Sequence, residues 1–186
     1  MRHRTTAELE AALDHVRASP ADLGTVELIV RRPAVDEREV LDVGVLDPAH
    51  GLVGDTWKDR GSKHTPDGTA ETIAQLNVMN ARMVAALTPD DPTRRPLAGD
   101  QLFLDLDLSI DNLPAGTRLA LGAAVIEVTA KPHLGCDKFV ARFGVEAMRF
   151  VNGELGRRLR LRGLNAMVVQ PGEVRTGDLV RKLSSR

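Results

Sequence analysis

The chain has 186 residues, and several things it lacks narrow what it can do. It holds a single cysteine, Cys136, so no internal disulfide forms and a structural zinc centre built from four Cys/His ligands is not expected. Its aromatic residues are four Phe, one Trp and no Tyr, which argues against a stacking platform for bases or sugars. Neither sign of charge dominates, with 25 Lys and Arg against 26 Asp and Glu, a net charge of −1. A general nucleic-acid binder usually shows a basic domain, so nucleic acid is not an expected partner. The opening MRHRTTAELEAALDH is too charged for a signal peptide, and no apolar run approaches membrane-spanning length. The expectation is therefore a cytoplasmic protein with no membrane partner. Also absent are a GxxxxGK[ST] phosphate loop, a GxGxxG after a strand, an HExxH and a GxSxG elbow.

What is present reads as one globular domain with a short extension. Thr5-x-x-Glu8 is a capping-box pattern, followed by Leu9, Ala12, Leu13 and Val16 at helical spacing. This predicts a helix over Thr6–Ala18, closed by Ser19-Pro20, as an N-terminal appendage over residues 1–24 ahead of a main domain over 25–186. TVELIVRR (Thr25–Arg32) and EVLDVGVL (Glu39–Leu46) have strand composition and pair as a hairpin around the turn Pro33–Arg38. The polar segment after Trp57 is a loop. Its stretch from Asp59 to Thr69, flanked by Lys58, reads either as a plain connection or as a lid carrying Arg60, Lys63 and His64. Thr72–Asn80 starts strand-like, and Asn77–Leu87 has helical periodicity. From Gly99 the elements are short. Leu102, Leu104, Leu106 and Leu108 alternate as in a half-buried strand, and Ala123–Ala130, Leu164–Gln170 and Asp178–Leu183 read as further strands. Many short strands between Gly/Pro turns predict a mainly-β barrel with a few short helices.

The chemistry concentrates in KPHLGCDKFVARFG and in the basic residues on its C-terminal side. Between Lys131 and Arg162 stand eight basic residues against three acidic ones, in a chain that is nearly neutral overall. A thiol among cations is the setting in which a thiolate becomes available as nucleophile or metal ligand. Cys136 has three readings: a buried inert thiol, a nucleophile with His133 or His64 as base, or a soft-metal ligand. Pro132, Gly135 and the adjacent charges do not make an apolar core strand, which favours the reactive readings. Arg142 comes six residues after Cys136 in a helical turn, and its guanidinium fork suits phosphate or carboxylate, whereas Lys138 offers a point charge. Arg157, Arg158, Arg160 and Arg162 read as a solvated face. Asp105, Asp107 and Asp111 lack the glycine and closing Glu of a calcium loop and are expected on the exposed face of a strand.

Three separated stretches, GDQLFLDLDLSIDNLPAGTRLALG, VIEVTAKPHLGCDKFVARFG and GRRLRLRGLNAMVVQPGEVRTGDLVRKL, resemble the MOSC domain. That module occurs at the C-terminus of molybdenum cofactor sulfurases and as stand-alone bacterial proteins. GLVGD (Gly51–Asp55) is similar to its early motif, and the resemblance runs from about Arg38 to Leu183. It implies a MOSC-type β-barrel, the molybdenum cofactor (a Mo-pterin) as ligand, and Cys136 as molybdenum ligand or sulfur carrier. His133, Lys138 and Arg142 in the same motif, and Asn112 in the DNLP turn, become cofactor-binding candidates by that resemblance. No aminotransferase-like domain with a pyridoxal lysine is recognised, so pyridoxal phosphate is not expected here, and neither is the anchor of the amidoxime-reducing relatives. Two functions are implied. One is a molybdenum-dependent oxidoreductase reducing N-hydroxylated compounds with a separate reductase. The other is a sulfur (persulfide) or cofactor carrier served by a separate cysteine desulfurase.

Overall fold

A computed structural model describes residues 2–63 and 65–183. The strands among the described residues are β1 (Leu23–Arg31), β2 (Glu39–Leu41), β3 (Val43–Asp47), β4 (Gly51–Leu52), β5 (Leu76–Asn80), β6 (Leu102–Asp105), β7 (Arg118–Leu121), β8 (Ala124–Val128), β9 (Leu164–Gln170), β10 (Gly172–Arg175) and β11 (Leu179–Lys182). The helices are α1 (Thr6–Ala11), α2 (Leu13–Arg17), α3 (Trp57–Arg60), α4 (Ala81–Leu87), α5 (Asp137–Phe143), α6 (Val145–Asn152) and α7 (Glu154–Arg158). Seven strands close into a barrel in the order β1-β6-β5-β9-β8-β7-β11, with β11 pairing back onto β1 from Leu23↔Arg181 to Thr25↔Leu179. Closure leaves the ring without free edges. All neighbours in it are antiparallel except β5 and β6, which run parallel with Val78 opposite Leu102. A parallel pair needs a crossover, and α4 with the 3-10 turn Pro92–Ala98 supplies it. The mainly-β barrel with a few short helices expected from the sequence is the fold observed.

Two cores arise from the period-two alternation of the central strands. Leu76, Val78, Leu102 and Leu104 point into the barrel, while Met79 and Phe103 point out into a layer formed by α1, α2, α4, α5 and α6. A small sheet, β10-β3-β4, closes one side of the barrel and contributes Leu46, Leu52 and Val174 to its interior. The fully buried leucines contribute about 1.5–3 kcal/mol each by leaving water.

Several local expectations are corrected. The predicted helix Thr6–Ala18 is two short helices that meet at Ala12, although the Thr5–Glu8 capping box forms as expected. Glu39–Leu46 is not one strand. It divides at Asp42, so that β2 makes the expected hairpin with β1 while β3 joins the small sheet. The alternating leucines do not make a half-buried strand: β6 ends at Asp105, and both of its faces are covered. Strand β10 is not among the expected strands. Among the described residues, no helix is long and apolar enough to cross a membrane.

Candidate functional site

The segment Lys131–Cys136 leaves the end of β8, crosses the rim of the barrel and enters α5, and it is held at three points. Asn165 on β9 donates through Nδ2 to the carbonyls of Lys131 and Pro132 at 3.1 and 3.2 Å. Asn152 at the end of α6 brackets Gly135, accepting from its N–H at 2.8 Å and donating to its carbonyl at 3.0 Å. Between them, the His133 ring reaches Asp100, with Nε2 3.0 Å from Oδ1. The Asn165 anchor is itself the end of a chain. Asn77, its cross-strand neighbour on β5, donates to Asn165 Oδ1 at 2.7 Å. Arg32 donates to Asn77 Oδ1 and to the Gly99 carbonyl, and holds Asp55 through two nitrogens at 2.8 Å each. The aspartate of the GLVGD stretch is thereby wired through the barrel rim to the backbone that presents Cys136.

Asp100 is fully buried and carries a second partner, Arg162, whose Nη1 lies 2.7 Å from Oδ2. Burial alone would raise the Asp100 pKa, but the charge of Arg162 and the His133 hydrogen bond outweigh it and hold the carboxyl below its ordinary value. His133 is shifted down as well, first by burial and then by Arg162, against the opposing pull of Asp100. A neutral imidazole that gives Nε2–H to Asp100 presents Nδ1 as an acceptor. Arg162 also donates to the Ala98 carbonyl and stacks 5.0 Å from the Phe139 ring. Phe139 and Phe143 lie one helical turn apart on the inner face of α5, and they anchor that helix to the outer core.

Cys136 is the N-cap of α5, exposed and with no hydrogen bond to its thiol among the described residues. Lys138 and Arg142 come next on one face of α5, and both reach Asp36 in the β1–β2 turn, at 3.6 and 2.9 Å. Arg142 also gives Nη1 to the Leu97 carbonyl. Its guanidinium and that of Arg38 converge on Gly99, where an added Cβ would lie 3.6 and 3.7 Å from their nitrogens. Arg38 keeps a buried Nε without a partner, and its pKa is lowered by burial and then by Arg142 and Arg32. The structure thus joins Cys136, Lys138 and Arg142 on one helix, with His133 at the loop behind them. Asn112 is not with them: its amide donates to the carbonyls of Ala21 and Asp107 and accepts from Lys182, in the connection between β6 and β7. His64 lies outside the described residues. The loop before β5 ends in Glu71, which pairs with Lys131.

The solvated-face reading fails for Arg160, which is half-buried, and for Arg162. Arg162 is not on a solvated face but 6% exposed, and it is the counterion of Asp100. Arg157 and Arg160 line a cavity of about 290 Å3 whose wall also includes His133 and Leu134. Sequence reasoning also missed Asp100, Asn165, Asn77, Asn152 and the Arg32–Asp55 pair. The available signal was polar residues set inside apolar strands, as in LNVMN and LNAMVVQ. Among the described residues, no group of three or more His, Cys, Asp or Glu converges as a metal cage.

No family model and no curated relative matches this sequence. Solved structures do share the fold. The YuaD protein of Bacillus subtilis superposes with a TM-score of 0.65 at 16% identity, covering 88% of this chain and 97% of its own. YiiM of Escherichia coli gives 0.56 at 17% identity over 87% of this chain and 71% of its own, and YiiM of Geobacillus stearothermophilus 0.53 at 11% over 88% and 74%. At these identities the likeness establishes a common architecture for the barrel and its helical layer.

Proposed function

We propose that this chain is a MOSC-type domain that binds the molybdenum cofactor, with the Cys136 thiolate as metal ligand. The observation that carries the reading is an exposed, unbonded thiol at the end of a loop held at three points. The residues around it fit an anionic cofactor. Lys138 and Arg142 share the well-exposed carboxylate of Asp36, Arg38 has an orphaned Nε, and the missing side chain of Gly99 leaves room before two guanidiniums. Arg142 and Arg38 would take phosphate or a pterin edge, with Lys138 as a further positive charge. When bound, the cofactor supplies a metal centre able to exchange two electrons. The protein's own part is positional. Asn165 and Asn152 fix the loop, Asp100 and Arg162 fix the His133 ring with Nδ1 as an acceptor, and α5 fixes the thiol beside the cations. The reaction class we assign is reduction of N-hydroxylated compounds, with electrons from a separate reductase. Molybdenum and pterin analysis of protein from a cofactor-competent host tests it. Both present in wild type and absent in Cys136→Ser is the expected result, and absence from wild type refutes it.

The same exposure favours a second reading, a persulfide carrier, because a lone surface thiol is open to a desulfurase and the chain has no second thiol to resolve the adduct. Mass spectrometry after incubation with a cysteine desulfurase distinguishes it. One added sulfur on Cys136 supports the carrier, and an unmodified thiol rejects it.

A further inference from the structure

The cavity of about 290 Å3 beside the Cys136 loop shares His133 and Arg162 with the proposed cofactor site, but Cys136, Lys138, Arg142 and Arg38 are not part of its lining. At roughly 30 Å3 per liquid water, it has room for on the order of ten waters or one small organic molecule. Its lining is of two kinds. Ile110, Leu134, Val151 and Leu164 are apolar, and Lys131, Arg157, Arg160 and Arg162 are cationic. No carboxylate is among the residues that line it.

The four cations are not equally compensated. Arg162 is paired with Asp100, and Lys131 with Glu71. Arg157 gives its Nε–H to the Asn152 carbonyl at 2.7 Å, and Arg160 an Nη1–H to the Leu113 carbonyl at 2.6 Å. Among the described residues, neither of these two has a carboxylate partner. Arg160 is half-buried, with burial alone pulling its pKa below the ordinary value; its φ of 48 is that of the residue closing α7 in a Schellman turn, with Arg160 N–H to the Arg157 carbonyl at 3.1 Å and Leu161 N–H to the Gly156 carbonyl at 2.8 Å. A guanidinium withdrawn from water without a counter-charge is an incomplete arrangement that an anion would complete.

We infer that this cavity binds a small organic monoanion, a carboxylate on an apolar body of about ten heavy atoms. The carboxylate lies at Arg157 and Arg160, and the body lies against Leu134, Ile110 and Leu164. Inorganic phosphate would leave the apolar wall uncovered, and a neutral aromatic would leave the guanidiniums uncompensated, so both halves of the ligand are specified. Neither molybdenum nor Cys136 takes part in this binding.

Fluorine NMR titration of the full-length protein with para-fluorobenzoate, and with para-fluorobenzamide as its neutral counterpart, tests it. The benzoate is expected to bind saturably and the amide at least about tenfold more weakly, as loss of a charge-assisted contact implies. Leu134 and Arg157 are exposed enough for substitution without loss of the fold. Leu134→Glu, which places a carboxylate at the cavity wall, should abolish benzoate binding, and Arg157→Gln should weaken it about tenfold. Equal affinity for acid and amide, no saturable binding of the benzoate, or unchanged affinity in either variant would overturn the assignment. So would inorganic phosphate competing as well as unlabelled benzoate.

Discussion

Replacing Asp100 by Asn removes one charge from the most enclosed polar cluster in the site, and its cost can be worked from the contacts. Asp100 is fully buried and accepts from Arg162 Nη1 at 2.7 Å and from His133 Nε2 at 3.0 Å. In Asp100→Asn the guanidinium keeps the Ala98 carbonyl at 3.0 Å and the Phe139 ring, but loses its carboxylate. The new amide has one oxygen in place of two; set on Arg162, it turns its NH2 toward His133 Nε2, which accepts only if the imidazole moves its proton to Nδ1. Removing one partner of a buried ion pair costs about 3–5 kcal/mol, because the other charge stays buried. At roughly 2–4 °C per kcal/mol for a domain of this size, Tm should fall by about 6–20 °C. Urea unfolding monitored by circular dichroism measures the loss directly. The double variant Asp100→Leu with Arg162→Met removes both charges and should lose less than the sum of the two single changes. A loss below about 1 kcal/mol in Asp100→Asn, with additive single effects, would mean that water shields the pair and that Asp100 does not hold His133.

The same cluster predicts a pH dependence. Burial and Arg162 keep the His133 pKa below its ordinary 6.5, so on acidification the unfolded chain takes the proton first. The native state then loses stability as pH falls below about 6.5, by at most about 1.4 kcal/mol per pH unit for this one group. Unfolding measured between about pH 7 and 5 should show His133→Gln flattening that slope, and an unchanged slope would contradict the assignment. Asn165→Ala strands the Asn77 amide and two loop carbonyls, and should cost about 1–3 kcal/mol. It should also speed hydrogen exchange across residues 131–136, and unaltered exchange there would show that the loop is held by other contacts.

Where one residue pattern had one structural solution, it was legible in the sequence. Leu164–Gln170 reads as a strand and forms β9 over the same residues, and Thr5–Glu8 reads as a capping box and makes one. Glu39–Leu46 misled because composition does not report a change of sheet. Asp42 separates β2 from β3, and only the pairing partners, β1 for one and β10 for the other, reveal it. The leucine alternation misled for a related reason: with a helical layer outside the barrel, both faces of β6 are buried and the period no longer marks solvent. In the site, Cys136, Lys138 and Arg142 were visible because they share one short segment. Asp100, Arg162, Asn77 and Asn165 come from distant stretches that barrel closure brings together, and no local pattern encodes that. Arg162 was misread because Arg157 and Arg158 in the same run do face water, while its own partner lies 62 residues away.

The most direct test of the central claim is the molybdenum-to-protein ratio of this chain purified from a cofactor-competent host, wild type beside Cys136→Ser. Near-stoichiometric molybdenum with pterin in the wild type, lost in Cys136→Ser while the fold is retained, is the predicted result. Absence of molybdenum from the wild type, or equal retention in both proteins, would contradict it.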